Sequence, residues 1–345
     1  MKKLLPILLA LLIAGTFCVQ SQAETESFAD QWIKEQSERL CALGEDVTLE
    51  TQRYAFTLSD GTQAESICLT ASGKIRYGRY GQQVCTALIN SGTGEMLSPE
   101  ALIPQTDALE AVLTAYVEEY QEQLNTYLDA NDLLPVPLDC VCFNKRGMVI
   151  HYSADRFCFF SGNSGAVLIR YDQLAGLLPD GISPQDGMTS AQLAQHVLDA
   201  AAEGCLYGVE ELRVGSSLHA ALTEYGTLTD PDYVENGEIY ELESPLFYGI
   251  SVLAPQGAED DESALITAVR ATEICLGGLT TGCAVQQDAV SLLDEAQRTV
   301  EIDAETAEYN RLSAGTGLEY LCGEFTLTLY FDGDTQLLYA AEISR

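Results

Sequence analysis

The chain has 345 residues, 52 acidic against 17 basic, for a formal net charge of −35, and 47% of its residues are apolar. That apolar share excludes a disordered chain. The charge excludes nucleic acid and anionic membrane surfaces as partners and attracts cationic ones from a distance.

Lys2 and Lys3 precede an apolar run from Leu4 to Gly15, too short to span a bilayer. Ser21-Gln22-Ala23 places small residues where a signal peptidase reads. The pattern predicts a signal peptide over 1–23, cleavage after Ala23, and a secreted or extracytoplasmic protein. Phe17 stands before Cys18 where lipid attachment needs a small residue, so lipidation is not expected. No later run reaches the length of a membrane span, so no transmembrane segment is expected after cleavage. Ten cysteines remain. An even count in an exported chain permits disulfides, while their apolar surroundings equally suit buried free thiols.

Residues 24–45 contain an N-terminal helix, with Phe28, Trp32, Leu40 and Leu43 near helical spacing and Gly44 as its stop. Strands begin at Val47. "RYAFTL" and "ESICLT" alternate around Ser59-Asp60-Gly61, a hairpin signal, and "QVCTALI" ends at the turn "NSGTGE". Asp107 to Asp129 reads as the strongest helix, its stripe running through Leu109, Val112, Leu113, Tyr116, Val117 and Tyr120. Pro135 and Pro137 end it. After the strands of 139–178, "PDGISPQDG" at 179–187 reads as an interdomain linker. Beyond it Ser190 starts a helix. "VGSSLHAAL" (214–222) then resembles "TGCAVQQDA" (281–289), and "EIYELES" with "LFYGISVLA" mirrors "AEYNRLS" with "FTLTLYF". The expectation is an α+β fold of antiparallel sheets packed with helices, in two domains. The first covers 46–178; the second, 188–345, carries an internal duplication over about 212–276 and 279–345.

The segment 139–178 concentrates Cys140, Cys142, His151 and Cys158 with a Gly162-Asn163-Ser164-Gly165 turn. Cys140 and Cys142, separated by one residue in a strand, share a face, whereas zinc ligands usually have two to four residues between them on a turn. Alternation puts His151 opposite Met148, Ile150 and Tyr152. No metal is therefore expected there. Ser164 has a glycine at −2 but not at +2, so a serine-nucleophile elbow is not expected either. In "DPDYVENGEIYE" the sixth position, where a calcium loop needs glycine, is Glu235. No catalytic residue and no cofactor is expected, since nothing assembles a nucleophile, a base and an oxyanion site.

"VCTALINSGTGEMLSPEALI", a long helix, and then "CFNKRGMVIHYSADRFCFFSGNSGAVLIRYDQLAGLL" together resemble an exported bacterial module. It is found in the ectodomain of the lysozyme-sensing anti-sigma factor of the RsiV type and beside peptidoglycan deacetylase domains. Thr93-Gly94-Glu95, Gly147, Gly162 and Tyr171-Asp172-Gln173-Leu174 carry the resemblance, which covers about 66–178. "SADRFCFFSGN" replaces the family's proline-tyrosine loop, which in sensing members contributes to partner recognition. The C-terminal half vaguely resembles tandem helix-plus-sheet modules of the β-lactamase-inhibitor type.

The expectation is thus an exported, non-enzymatic binding module of a bacterial envelope, for a cationic protein such as lysozyme or a peptidoglycan fragment. Tyr152, Arg156, Phe157, Phe159 and Phe160 are its expected contact face, aromatic residues beside an arginine being common hot-spot material. The alternative is a cell-wall hydrolase or deacetylase with an unrecognised site.

Overall fold

The computed structural model describes residues 27–76, 79–120, 133–152, 165–227, 230–235, 237–243 and 247–345. The expected signal peptide, residues 121–129 of the expected long helix, Cys158 and most of the 162–165 turn lie outside the described residues.

Helix α1 (Phe28–Cys41) starts at Ser27, whose hydroxyl accepts from the Asp30 amide while the Asp30 carboxylate accepts from the Ser27 amide. This reciprocal box satisfies two otherwise orphaned donors. Leu40 is fully buried against Leu69 and Ala71. Strands β1 (Glu45–Thr57), β2 (Gln63–Arg76) and β3 (Arg79–Asn90) form an antiparallel sheet in chain order. The expected hairpin is present, with Thr57 opposite Gln63.

A short helix α2 (Pro99–Leu102) and helix α3 (Thr106–Tyr120) follow. A 3₁₀ turn at Leu138–Cys140 leads into a second antiparallel sheet, β4 (Val141–Phe143), β5 (Gly147–Tyr152) and β6 (Gly165–Arg170). Cys140 therefore lies in the turn and not, as expected, in a strand beside Cys142. All of β5 is buried. Its Met148, Ile150 and Tyr152 pack into one core with Leu109, Leu113 and Tyr116 of α3. Val149 lies on the other face with Cys142, Ala166 and Leu168, against Cys68 and Val84 of the first sheet. A strand buried on both faces is long in apolar residues, which is how "MVIHY" reads.

Residues 179–187 are not a free linker. Ile182 is fully buried, its carbonyl accepts from the Tyr54 hydroxyl at 2.6 Å, and the Asp180 carbonyl accepts from the Ser59 amide at 3.1 Å. A glycine- and proline-rich segment satisfies its backbone here on the β1–β2 hairpin rather than in water.

Helix α4 (Ser190–Ala202) is capped one residue before Ser190, by Thr189 boxed with Gln192. Then come α5 (Leu218–Tyr225), β7 (Asp232–Val234), β8 (Gly237–Glu241), β9 (Ile250–Ala254) and β10 (Ala268–Ala271). After the small hairpin β11 (Cys275–Leu276) and β12 (Leu279–Thr280) come α6 (Gln286–Leu293), β13 (Arg298–Ile302), α7 (Ala304–Asn310), β14 (Gly315–Cys322), β15 (Phe325–Asp332) and β16 (Leu338–Ser344). Eight strands make one antiparallel sheet in the order β13-β14-β15-β16-β10-β9-β8-β7, two four-strand meanders meeting where β10 pairs β16. Each meander has a helix before it. Gly215, ahead of α5, donates to the Ile266 carbonyl at 2.7 Å, and Gly282, ahead of α6, donates to the Leu338 carbonyl at 2.7 Å. Both adopt positive φ, which glycine reaches without strain. One expected match fails: "EIYELES" forms β8, but "AEYNRLS" forms α7, because the Asp303 side chain accepts from the Thr306 amide and starts a helix. By position in the sheet, β14 corresponds to β8.

Candidate functional site

Among the described residues, two places collect chemistry. The first is a cleft of about 310 Å³. Its walls are the Lys145–Arg146 turn between β4 and β5, residues 170–186 after β6, Tyr207–Gly208, and Glu273–Cys275. Asn144 shapes the turn, its side-chain oxygen accepting from the amides of Arg146 and Gly147. That turn carries two cations. Lys145 faces Glu210 at 3.5 Å, and the Arg146 guanidinium lies over the Phe247 ring at 5.5 Å. Burial lowers Arg146 to about 10, which leaves it charged at neutral pH. Arg170 holds Asp172 at 3.1 Å and also Glu273, joining the end of β6 to the C-terminal half. The Tyr171 hydroxyl donates to the Asn144 carbonyl at 2.7 Å, and burial keeps this phenol neutral by raising its pKa.

The charge balance of the cleft departs from that of the chain. Lys145, Arg146 and Arg170 face Asp172, Asp180, Asp186 and Glu273, three cations to four acids, where the whole chain has 17 to 52. The cleft is thus far less acidic than the chain as a whole.

The second place is Cys68 of β2, Cys142 of β4 and His151 of β5, whose sulfur and nitrogen atoms all lie within 4.8 Å of one another. His151 Nε2 is 3.4 Å from Cys68 Sγ and 3.6 Å from Cys142 Sγ. The three are 4%, 3% and 7% exposed. His151 Nδ1 is buried with no hydrogen-bond partner, so the ring makes its polar contacts through Nε2 alone. The hydrogen bond from Cys142 and that from His151 outweigh burial and hold the Cys68 thiol well below its ordinary range. Cys142 moves the other way: its proton is held by Cys68, and both burial and the neighbouring thiolate oppose a second ionisation.

Of the residues singled out from the sequence, the structure brings Cys142 and His151 together but pairs them with Cys68. Cys140 is held apart in its turn, where burial and then the negative charge of Asp139 raise its thiol. Cys68 was missed because its position in "ESICLT" signals only a strand; the packing of β2 on β4 brings it to His151, 83 residues away. Tyr152 is 4% exposed and belongs to the core with α3, which corrects its expected place on a contact face. Alternation in β5 puts it beside Ile150 in register, not outward. Arg156, Phe157, Phe159 and Phe160 lie outside the described residues. No helix among the described residues is long and apolar enough to cross a membrane.

No protein-family model matches the chain, and no curated protein matches it. Solved structures match in part. A DUF4309 family protein, YjgB, from Bacillus subtilis is 12% identical, with 45% of this chain and 96% of that one covered at a TM-score of 0.30. A DUF3298 family protein from Pseudomonas aeruginosa is 12% identical, covering 43% of this chain and 70% of that one at 0.28. A DUF3298 family member from Bacteroides fragilis is 10% identical, covering 44% and 62% at 0.27.

Proposed function

We propose that the chain is an exported, non-enzymatic binding module of a bacterial envelope, and that the cleft at Lys145, Arg146 and Arg170 seats a peptidoglycan fragment. The concentration of three cations in one cleft of so acidic a chain carries the reading. Such fragments bear lactyl and peptide carboxylates beside amines and acetamides. Guanidinium groups hold carboxylates in planar, two-point fashion; the Arg170 fork already holds Asp172 and Glu273, which leaves a ligand carboxylate to Lys145 and Arg146. The RsiV-type resemblance over about 66–178 supports the envelope setting, as does the signal peptide read over 1–23. In that family lysozyme is the sensed partner, and a surface of net charge −35 attracts a cationic protein whether or not a specific contact follows.

Calorimetric titration of the chain with a muramyl dipeptide and, separately, with a c-type lysozyme, at about 20 and about 150 mM salt, tests the reading. The Debye length falls from roughly 20 Å to 8 Å across that range. Saturable 1:1 binding of the muramyl peptide that survives the higher salt, and weakens about tenfold or more in Arg146→Gln, is the expected result. Lysozyme binding that vanishes with salt is charge attraction alone. Absence of muramyl peptide binding at either salt overturns the cleft assignment, and release of acetate or a cleaved product from it turns the reading to the hydrolase or deacetylase.

A further inference from the structure

Three ligand-bearing side chains from three strands converge beneath the surface, in a place the cleft does not use. We propose that Cys68, Cys142 and His151 form a structural zinc site that ties β2 of the first sheet to β4 and β5 of the second. Geometry comes first. A tetrahedral zinc with bonds of about 2.3 Å to sulfur and about 2.0–2.1 Å to nitrogen has S···N edges of about 3.6 Å. The two S···N distances here are 3.4 and 3.6 Å. Both S···N edges match such a tetrahedron, and the two sulfurs lie within 4.8 Å of each other. Thr70 Oγ1, on the same face of β2 and 3.9 Å from Cys68 Sγ, is an adjacent oxygen for the fourth corner, directly or through a water.

Charge selects the ion. Two thiolates and a neutral imidazole around a divalent cation carry no net charge, which suits a pocket walled by Val84, Val149, Ala166 and Leu168. A monovalent ion would leave one negative charge buried without a partner. Hard cations such as magnesium and calcium prefer oxygen, so sulfur and imidazole donors select a softer metal. Burial of all three donors closes the site to substrate and makes the role structural.

The unpartnered Nδ1 of His151 sets the expected strength. A zinc-ligating histidine usually donates its other nitrogen to a carboxylate or carbonyl, and loss of that bond costs about 10–100-fold in affinity. In this site the ring is oriented by packing within β5. The metal therefore binds one to two orders of magnitude more weakly than in a site with that outer bond. Binding is coupled to closure of the two sheets, because the ligands come together only in the folded chain.

The test is cobalt and zinc titration of the reduced, metal-free chain, compared with Cys85→Ser/Cys140→Ser and with Cys142→Ser. One equivalent of cobalt should give a tetrahedral spectrum with a charge-transfer band of two-thiolate intensity. One equivalent of zinc should displace it. Both should persist in Cys85→Ser/Cys140→Ser and disappear in Cys142→Ser. The first two results read the site even where Cys142→Ser fails to fold. No stoichiometric uptake, loss of the band in Cys85→Ser/Cys140→Ser, or stoichiometric uptake of monovalent copper without zinc overturns the proposal. So does a Cys68–Cys142 disulfide in protein isolated without reductant. None of these outcomes depends on the cleft or its ligand.

Discussion

The two halves each bury a polar cluster within or against a sheet, and the clusters differ in how completely they are satisfied. In the eight-stranded sheet Arg270 of β10 meets Glu342 of β16, Nε donating to Oε2 at 2.8 Å. Its Nη1 donates to the Asn310 carbonyl at 2.7 Å, and the Tyr330 hydroxyl reaches the other carboxylate oxygen at 3.5 Å. Ion, counter-ion and remaining donors find partners inside the protein. In the N-terminal half, Cys68, Cys142 and His151 bring two sulfurs to one nitrogen and leave the other nitrogen with none. A completed network needs nothing more to explain its burial. An incomplete one, built of soft donors at metal spacing, calls for a ligand.

That contrast can be broken in the C-terminal half first. Glu342→Ala strands the Arg270 guanidinium in the sheet and is expected to cost about 3–5 kcal/mol, read from urea denaturation. Replacing both partners with apolar residues, Arg270→Met with Glu342→Leu, should recover most of that loss. Retention of full stability by Glu342→Ala alone would show that the pair is solvated.

Next in size is Gly147→Ala, in the turn that carries Arg146 into the cleft and opens β5. A Cβ there would stand 2.1 Å from the Ile169 carbonyl oxygen, so β5 and β6 must separate. A loss of about 1–3 kcal/mol is expected, with weaker ligand binding in the cleft. A variant as stable as the parent would mean that the hairpin yields easily.

The metal-free thiol cluster should behave differently from the ion pair. Cys68→Val, Cys142→Val and His151→Leu together remove every polar group of the cluster, and the stability of the metal-free chain should change by about 1 kcal/mol or less. Zinc should raise the melting temperature of the parent and leave the triple variant unmoved, since only the parent binds it when folded. A large loss without metal would make the cluster self-sufficient and erase the contrast.

The smallest effect concerns pH. Glu238 of β8 accepts from the Gly257 amide at 3.0 Å and from the Tyr240 hydroxyl at 2.7 Å, and the backbone bond leads in holding its carboxyl below the ordinary range. A depressed folded-state pKa adds stability above the unfolded value of about 4.3, lost as pH falls through the folded value. Glu238→Gln should therefore be less stable than the parent at pH 7, by about 1 kcal/mol or less, and equal to it near pH 3. A difference that persists in acid would place its origin in packing.

Much of the local structure could be read from the residues in order. Phe28, Trp32 and Leu40 mark α1, Asp60-Gly61 turns the first hairpin, and Gly215 and Gly282 precede helices, because each depends on neighbours within a few positions. The alternation that sets His151 opposite Ile150 is equally local. "AEYNRLS" was misread as a strand because its apolar spacing is ambiguous, and the Asp303 cap decides for helix. Tyr152 was placed outward because an aromatic beside an arginine suits an interface, yet α3 covers that face of β5.

The sequence by itself thus determined an acidic α+β chain of antiparallel strands and capped helices, because charge, periodicity and turn chemistry act over short separations. The tertiary structure alone decided the two sites. It set β2 against β4 so that Cys68 meets Cys142 and His151, and it brought Glu273 to Arg170 across 103 positions. Contacts of that range leave no period or spacing in the chain; they arise only when sheets find their partners and buried polar groups are forced to find theirs.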